Sequence, residues 1–226
     1  EILGELGRRL PNVRFWNLYG QTEIAPLATV LKPDDQIRKA GSAGIPALNV
    51  ETRVVDDAGR SVQPGAIGEI IHRSPHLLQG YYEDQERTAA ACEGGWFHSG
   101  DLATVDDEGY ITIVDRKKDM IKTGGENVAS REVEETIYGV ASVSEVAVVG
   151  VPHPYWIEAV VAVVVRREGQ TLTEDEVIAH CRAHLAGFKV PKRVVFLEAL
   201  PKNPSGKVLK RELRLSIGSE SGEQCK

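Results

Sequence analysis

Cysteine is scarce in this chain: Cys92, Cys181 and Cys225 are scattered and odd in number. That excludes a disulfide framework and points to reduced thiols, as in a cytoplasmic protein. Long apolar runs are missing too. The longest, residues 159–165, falls far short of the roughly 20 residues a membrane helix needs, so no transmembrane segment is expected. No basic-then-apolar segment opens the chain, which argues against a secretory leader. Positive charge is not in excess either. Against 27 Lys and Arg stand 33 Asp and Glu, a net charge of −6, and bulk charge therefore speaks against nucleic acid as a partner. The chain opens Glu1-Ile2-Leu3 and its single methionine is Met120. It reads as a processed protein or as a piece of a longer one.

What is present describes a folded protein. The chain has 226 residues, 42% hydrophobic and 27% charged, with 22 Gly and 11 Pro, enough to bury one or two cores. The first ~35 residues read as the end of a helix followed by an apolar strand, 13–18, running into the turn Tyr19-Gly20. From about Gly41 to Arg116 short strands alternate with Gly, Pro and Asp. The best candidates are 50–55, 69–72, 102–105 and 110–114, with Asp106-Asp107-Glu108-Gly109 as a hairpin turn. That spacing suggests a small barrel, itself distorted, or a distorted sheet.

After Lys118 the pattern changes. Residues 130–138 carry Val133, Ile137 and Val140 at helical spacing, with Ser130 as the expected N-cap. Strands are expected at 143–151, 157–165 and 192–197, the second apolar on both faces and therefore central. A helix is expected over 173–186, where Thr173 and Glu176 have capping-box spacing and Val177, Ile178, Cys181 and Leu185 form the core face. The reading is an α/β piece with a β-rich subdomain over 1–117, a small α+β domain over 118–215, and a flexible polar tail over 216–226.

Several segments could carry chemistry. Pro201-Lys202-Asn203-Pro204-Ser205-Gly206-Lys207 is a restricted loop, and residues 202–214 hold five basic groups against the single acid Glu212. A lysine aimed by a stiff loop suits a phosphate, although composition alone also fits a solvated basic turn. The nucleoside triphosphatase loop does not fit, because the upstream glycine of its pattern is absent. Asp101, in Trp96-Phe97-His98-Ser99-Gly100-Asp101, could accept two hydrogen bonds from a vicinal diol or cap its own turn. Tyr19-Gly20-Gln21-Thr22-Glu23 lies at a strand end, where open α/β sheets hold ligands, or is an ordinary turn. Thr123-Gly124-Gly125-Glu126-Asn127 could cradle a phosphate or simply reverse the chain. His180 and His184 have the spacing of a two-histidine metal site, but no third ligand stands near them.

Taken in order, Tyr19–Glu23, Trp96–Asp101, Asp115-Arg116-Lys117-Lys118-Asp119, Gly124–Asn127 and Pro201–Arg211 give the chain its meaning. Together they resemble the adenylate-forming family of acyl-CoA synthetases, aryl-CoA ligases and luciferases. The resemblance covers all of the chain but its tail. It implies that the chain is the C-terminal two-fifths of such an enzyme, with the loop for the ATP β and γ phosphates upstream and the fragment inactive by itself. It further implies an ATP- and Mg²⁺-dependent ligase that activates a carboxylic acid, a fatty acid being favoured, as acyl-AMP and then passes it to CoA.

By the same resemblance Lys207 is the catalytic cation at the α-phosphate. Tyr19, Gly20, Gln21 and Thr22 line the nucleotide, with Tyr19 against adenine and Thr22 on the α-phosphate. Asp101 and Arg116 hold the ribose, and Glu23 helps place Mg²⁺. Lys118 is the hinge about which the C-terminal domain swings, and Gly124, Gly125 and Glu126 make room for pantetheine in the second half-reaction. Ile24, Ala25 and Pro26 are wall candidates for the acyl pocket, most of which would lie upstream. The alternatives are a stand-alone adenylation domain loading a carrier protein and a non-catalytic interaction module on the same fold. Nothing in the sequence sets the acid, its chain length or the oligomeric state.

Overall fold

The computed structural model describes residues 2–221. Contacts group them into two compact units, Glu1–Lys117 and Lys118–Lys226. The first unit contains helix α1 (Ile2–Arg9), strands β1 (Asn17–Tyr19), β2 (Thr29–Leu31), β3 (Ile45–Pro46), β4 (Glu51–Val55) and β5 (Gly68–Arg73), helix α2 (Gln85–Ala91), and strands β6 (Phe97–Val105) and β7 (Ile111–Arg116). β1, β2 and β3 form one antiparallel sheet, and β4, β5, β6 and β7 a second, in that order. Asp56 and Asp106 each close a hairpin by accepting backbone N–H groups on their carboxylates, which is why acidic residues mark these turns.

Of the two expectations the open sheet holds, and the strands do not close into a barrel. Val55 bridges Ser61 on the outer edge of β4, and Ile111 bridges Gly44 on the outer edge of β7. Both edges are thereby blunted by loop segments instead of pairing with each other. The strand expected at 13–18 shrinks to β1, and Val13, Trp16 and Leu18 stay exposed. Only Asn17, Leu18 and Tyr19 find ladder partners, on β2.

The second unit is a three-layer α/β domain. Its strands are β8 (Ile121–Thr123), β9 (Glu126–Val128), β10 (Val143–His153), β11 (Ile157–Arg166) and β12 (Arg193–Phe196), and its helices α3 (Ser130–Tyr138), α4 (Glu174–His184) and α5 (Lys210–Ser221). β11 is central, antiparallel to β10 and β8 and parallel to β12. Val160, Ala162 and Val164 pack with α3 and α4, while Val161, Val163 and Val165 pack with α5, so the strand is apolar on both faces. Each fully buried valine contributes about 2 kcal/mol by removing apolar surface from water.

Two sequence expectations change here. Ser130 does not cap α3; Ala129 is the N-cap residue, and the buried Ser130 hydroxyl instead accepts from Lys210 Nζ at 2.6 Å. The tail expected from Ser216 is the last part of α5 as far as Ser221, because Leu213 and Ile217, one turn apart, bury themselves against the β10–β11 face. The rest of that tail, including Cys225, lies outside the described residues. Thr173 does form a full capping box with Glu176.

Candidate active site

The first unit gathers three of the expected nucleotide residues around the carboxylate of a fourth, Asp101. β6 and β7 place Asp101 opposite Arg116 in their ladder, and the end of β1 brings Tyr19 and Gln21 to the same point. Tyr19 Oη donates to Asp101 Oδ2 at 2.7 Å, and Gln21 Nε2 donates to the same oxygen at 2.8 Å. Arg116 Nε donates to Asp101 Oδ1 at 2.8 Å. Gln21 also reaches the Ser99 carbonyl, so its amide is held at two points. Burying a carboxylate requires this degree of pairing. Asp101 is buried, whereas the Arg116 side chain is 48% exposed and opens the cluster to solvent on one side. A carboxylate has room for about four hydrogen bonds, so this one retains acceptor capacity beyond its three protein donors.

Local backbone explains the placement. Gly100 has φ +69°, and irregular register interrupts both ladders of β6 in this stretch. Such bulges re-aim side chains. The Ser99 hydroxyl accepts from Asp101 N and donates to the Ile70 carbonyl, fixing the strand just before the carboxylate. Gly20 is dictated by space: a Cβ there would stand 1.8 Å from the Pro26 carbonyl oxygen.

The surroundings shift two protonation equilibria. Burial, reinforced by the neighbouring Asp101 charge, pushes the Tyr19 phenol far above its ordinary value, so it serves as a hydrogen-bond donor. His72 lies 6.1 Å from the Tyr19 ring and is 1% exposed. Burial lowers its pKa to about 4, so it is neutral at pH 7. Its Nδ1 meets Thr52 Oγ1 at 3.0 Å, while Nε2 is buried without a partner among the described residues.

Glu23 sits in a short 3-10 turn, Thr22–Ile24. Its Oε1 accepts from Tyr81 Oη at 3.0 Å. Thr22 is exposed beside it. Among the described residues no group of three or more His, Cys, Asp or Glu could hold a metal ion. His180 and His184 instead bond the Thr136 and His180 carbonyls. Glu23 is thus a single carboxylate with no cation paired to it among the described residues. That donor set fits Mg²⁺ only in the form in which the ion keeps waters and takes its other ligands from phosphates.

The second unit carries the remaining candidates. Gly124 and Gly125, at φ +58° and +87°, form the two-residue turn joining β8 to β9, with exposed Glu126 directly after it. Two consecutive positive φ values explain the Gly-Gly pair. Gly124 N donates to the Trp156 carbonyl at 2.9 Å, tying the turn to the start of β11. Lys207 sits on a loop organised by Asn203, whose Oδ1 accepts from Ser205 N, Ser205 Oγ and Lys207 N. Gly206, at φ +82°, completes the turn. The Lys207 ammonium makes no ion pair among the described residues and is free to meet an anion.

Sequence reasoning missed Ser99, His72 and Tyr81, which act on the site residues through a hydroxyl, a ring face and a phenol. Ser99 stands inside the motif that identified Asp101, and Tyr81 follows Gly80 in an aromatic pair. His72 carries no local signal beyond its place in a strand.

Known proteins resemble this chain in sequence and in fold. The pattern of the AMP-binding enzyme family matches residues 1–82, and that of the AMP-binding enzyme C-terminal domain matches residues 132–207. Feruloyl-CoA synthase from an Amycolatopsis species is 47% identical over 200 residues, covering 88% of this chain and 41% of the relative. A long-chain-fatty-acid–CoA ligase of Salmonella typhimurium is 45% identical over 196 residues, 87% of this chain and 35% of the relative. Among solved structures, o-succinylbenzoate CoA synthetase of Bacillus subtilis with its acyl-adenylate intermediate superposes with TM-score 0.87 at 30% identity, covering 94% of this chain and 43% of that one. The same enzyme is known with ATP and a magnesium ion, at TM-score 0.86. The chain therefore spans about two-fifths of the curated relatives it matches. No helix among the described residues is long and apolar enough to cross a membrane. On both family patterns and on the fold, the chain belongs to the AMP-binding, adenylate-forming enzyme family.

Proposed function

We propose that this chain is the C-terminal part of an acyl-CoA synthetase that joins a carboxylic acid to CoA through an acyl-AMP. The observation that carries the proposal is the convergence of Tyr19, Gln21 and Arg116 on Asp101. These contacts orient an ionised carboxylate whose spare lone pairs suit a ribose diol. Arg116 stands at the rim as a second ribose contact, and Tyr19 presents a ring held by its own hydroxyl for adenine. Thr22 bonds the α-phosphate and Glu23 supplies the protein ligand to Mg²⁺. When bound, that ion neutralises charge on the phosphates.

The acid attacks the α-phosphorus, the bond to pyrophosphate breaks, and charge grows on the α-phosphate oxygens. A cation placed there lowers the barrier. Lys207, on its Asn203-braced loop, fills that role. In the second half-reaction the CoA thiol displaces AMP from the mixed anhydride. The unit boundary at Lys118 is the pivot that exchanges Lys207 for the turn at Gly124, Gly125 and Glu126, where the lack of Cβ atoms lets backbone approach pantetheine closely. An aromatic or fatty acid is the favoured substrate, since relatives of both kinds are similar to this chain to nearly the same degree. A cytoplasmic location fits ATP and CoA as co-substrates.

The test is acid-dependent release of pyrophosphate by the full-length protein, followed over a panel of aryl and fatty acids, with thioester formation on adding CoA. Acid-dependent pyrophosphate release without transfer to CoA would instead favour loading of a carrier protein. No release with any acid would overturn the proposal.

A further inference from the structure

The link between the two units is bracketed by ion pairs, one on each side of a single peptide bond. On the N-terminal side, β7 ends at Arg116, and the next residue, Lys117, reaches back into its own unit. Its Nζ lies 3.2 Å from Asp57 Oδ1 and 3.2 Å from Glu69 Oε2. Glu69 is a firm anchor. Its side chain is only 12% exposed, and its other oxygen accepts from Gly100 N at 3.1 Å, one residue before Asp101. On the C-terminal side, Arg214 of α5 donates to the Lys118 carbonyl at 3.2 Å and to Asp119 Oδ1 at 2.9 Å. Asp119 is buried, and Arg214 follows Leu213, which is locked into the core beneath α5. Residues Lys117–Asp119 form a single 3-10 turn, a short connector with poorer hydrogen-bond geometry than an α-helix.

The torsions left between these anchors can be counted. The Lys117 ion pairs tether that residue to the first unit, one residue beyond the end of β7. The Arg214 contact holds the Lys118 carbonyl, and the peptide plane that follows it, to the second. The peptide plane between Lys117 and Lys118 is rigid, so ψ of Lys117 and φ and ψ of Lys118 are the soft torsions that remain.

We propose that Lys117 with Glu69, and Arg214 with Asp119, are positioning residues that confine the pivot to this one link, so that the units alternate between defined orientations instead of wandering. The inference rests on the alternation described under Proposed function. Its logic is entropic: each extra residue released into the link spreads the units over more orientations and thins the population in either working pose. Freeing about one residue costs a factor of about ten, about 1.4 kcal/mol, the order of the backbone entropy of one residue.

The experiment uses the full-length protein with spin labels at exposed positions 107 and 168, one in each unit. Lys117→Met and Arg214→Met should each broaden the inter-unit distance distribution. Each should slow both half-reactions about tenfold at saturating substrate, the factor set by the freed residue, with AMP affinity unchanged. Arg214→Lys, which keeps the charge, should restore a narrow distribution. Distributions as narrow as that of the parent in both Met variants, or a lowered melting temperature with unchanged half-reaction rates, would overturn the proposal. Failure of the enzymatic reading is separable: the parent protein would then show neither half-reaction, while the distance widths would still decide whether the clamps act.

Discussion

Arg116 and Asp101 are direct partners across the β6–β7 ladder, and their side chains meet at 2.8 Å. The pairing ties a rim cation to a buried carboxylate whose other oxygen is held by Tyr19 and Gln21. Asp101→Asn tests the role of that charge, because the amide matches the carboxylate in shape but weakens the hydrogen bonds from Arg116 and the ribose. AMP should bind the variant at least tenfold more weakly than the parent chain, about 1.4 kcal/mol, as expected when a charged acceptor is lost. Calorimetric titration of this chain with AMP is the measurement. Equal affinities would remove Asp101 from the ribose site.

Gly20→Ala asks whether the turn after β1 is set by space. The new methyl would lie 1.8 Å from the Pro26 carbonyl, a contact with backbone that no rotamer relieves. The chain between Gly20 and Ala28 must therefore shift, with a loss of about 1–3 kcal/mol typical of overpacking. Thermal or denaturant unfolding should register it, and AMP affinity should fall with it because Tyr19 and Gln21 flank the turn.

His72 links stability to pH. Its folded pKa of about 4 lies below the ordinary 6.5, so the unfolded chain binds the extra proton first as pH falls. The stability associated with neutral His72 is complete above pH 6.5 and is lost progressively between pH 6.5 and about 4, to a total of roughly 3 kcal/mol. His72→Gln should flatten this part of the stability–pH curve. A curve with unchanged slope in the variant would assign the acid sensitivity to other groups.

Much of this was legible in the sequence because its signals are local. Thr173 and Glu176 announced a capping box, the run of valines in β11 announced a central strand, and Gly124-Gly125 announced a tight turn. The nucleotide cluster was legible only through the order of motifs, since Tyr19 and Asp101 stand 82 positions apart and neither implies the other. What stayed hidden depended on tertiary contacts. Whether the β-rich strands close on themselves is decided by Ser61 and Gly44 at the sheet edges, which no periodicity reports. The polar composition after Ser216 masked a helix because two residues, Leu213 and Ile217, suffice to seat it. The residue type of Ser130 favours a cap, whereas the Lys210 ammonium claims its hydroxyl from 80 residues away.

The most direct test separates the two half-reactions in Lys207→Ala of the full-length protein. Acyl-AMP formation should fall about 10²–10³-fold, the usual cost of losing a charge-stabilising contact at the reacting centre. Thioester formation from preformed acyl-AMP and CoA should continue at close to the parent rate, because the lysine has left the site by then. Equal damage to both half-reactions would show that Lys207 is structural or that the units do not alternate, and would contradict the mechanism.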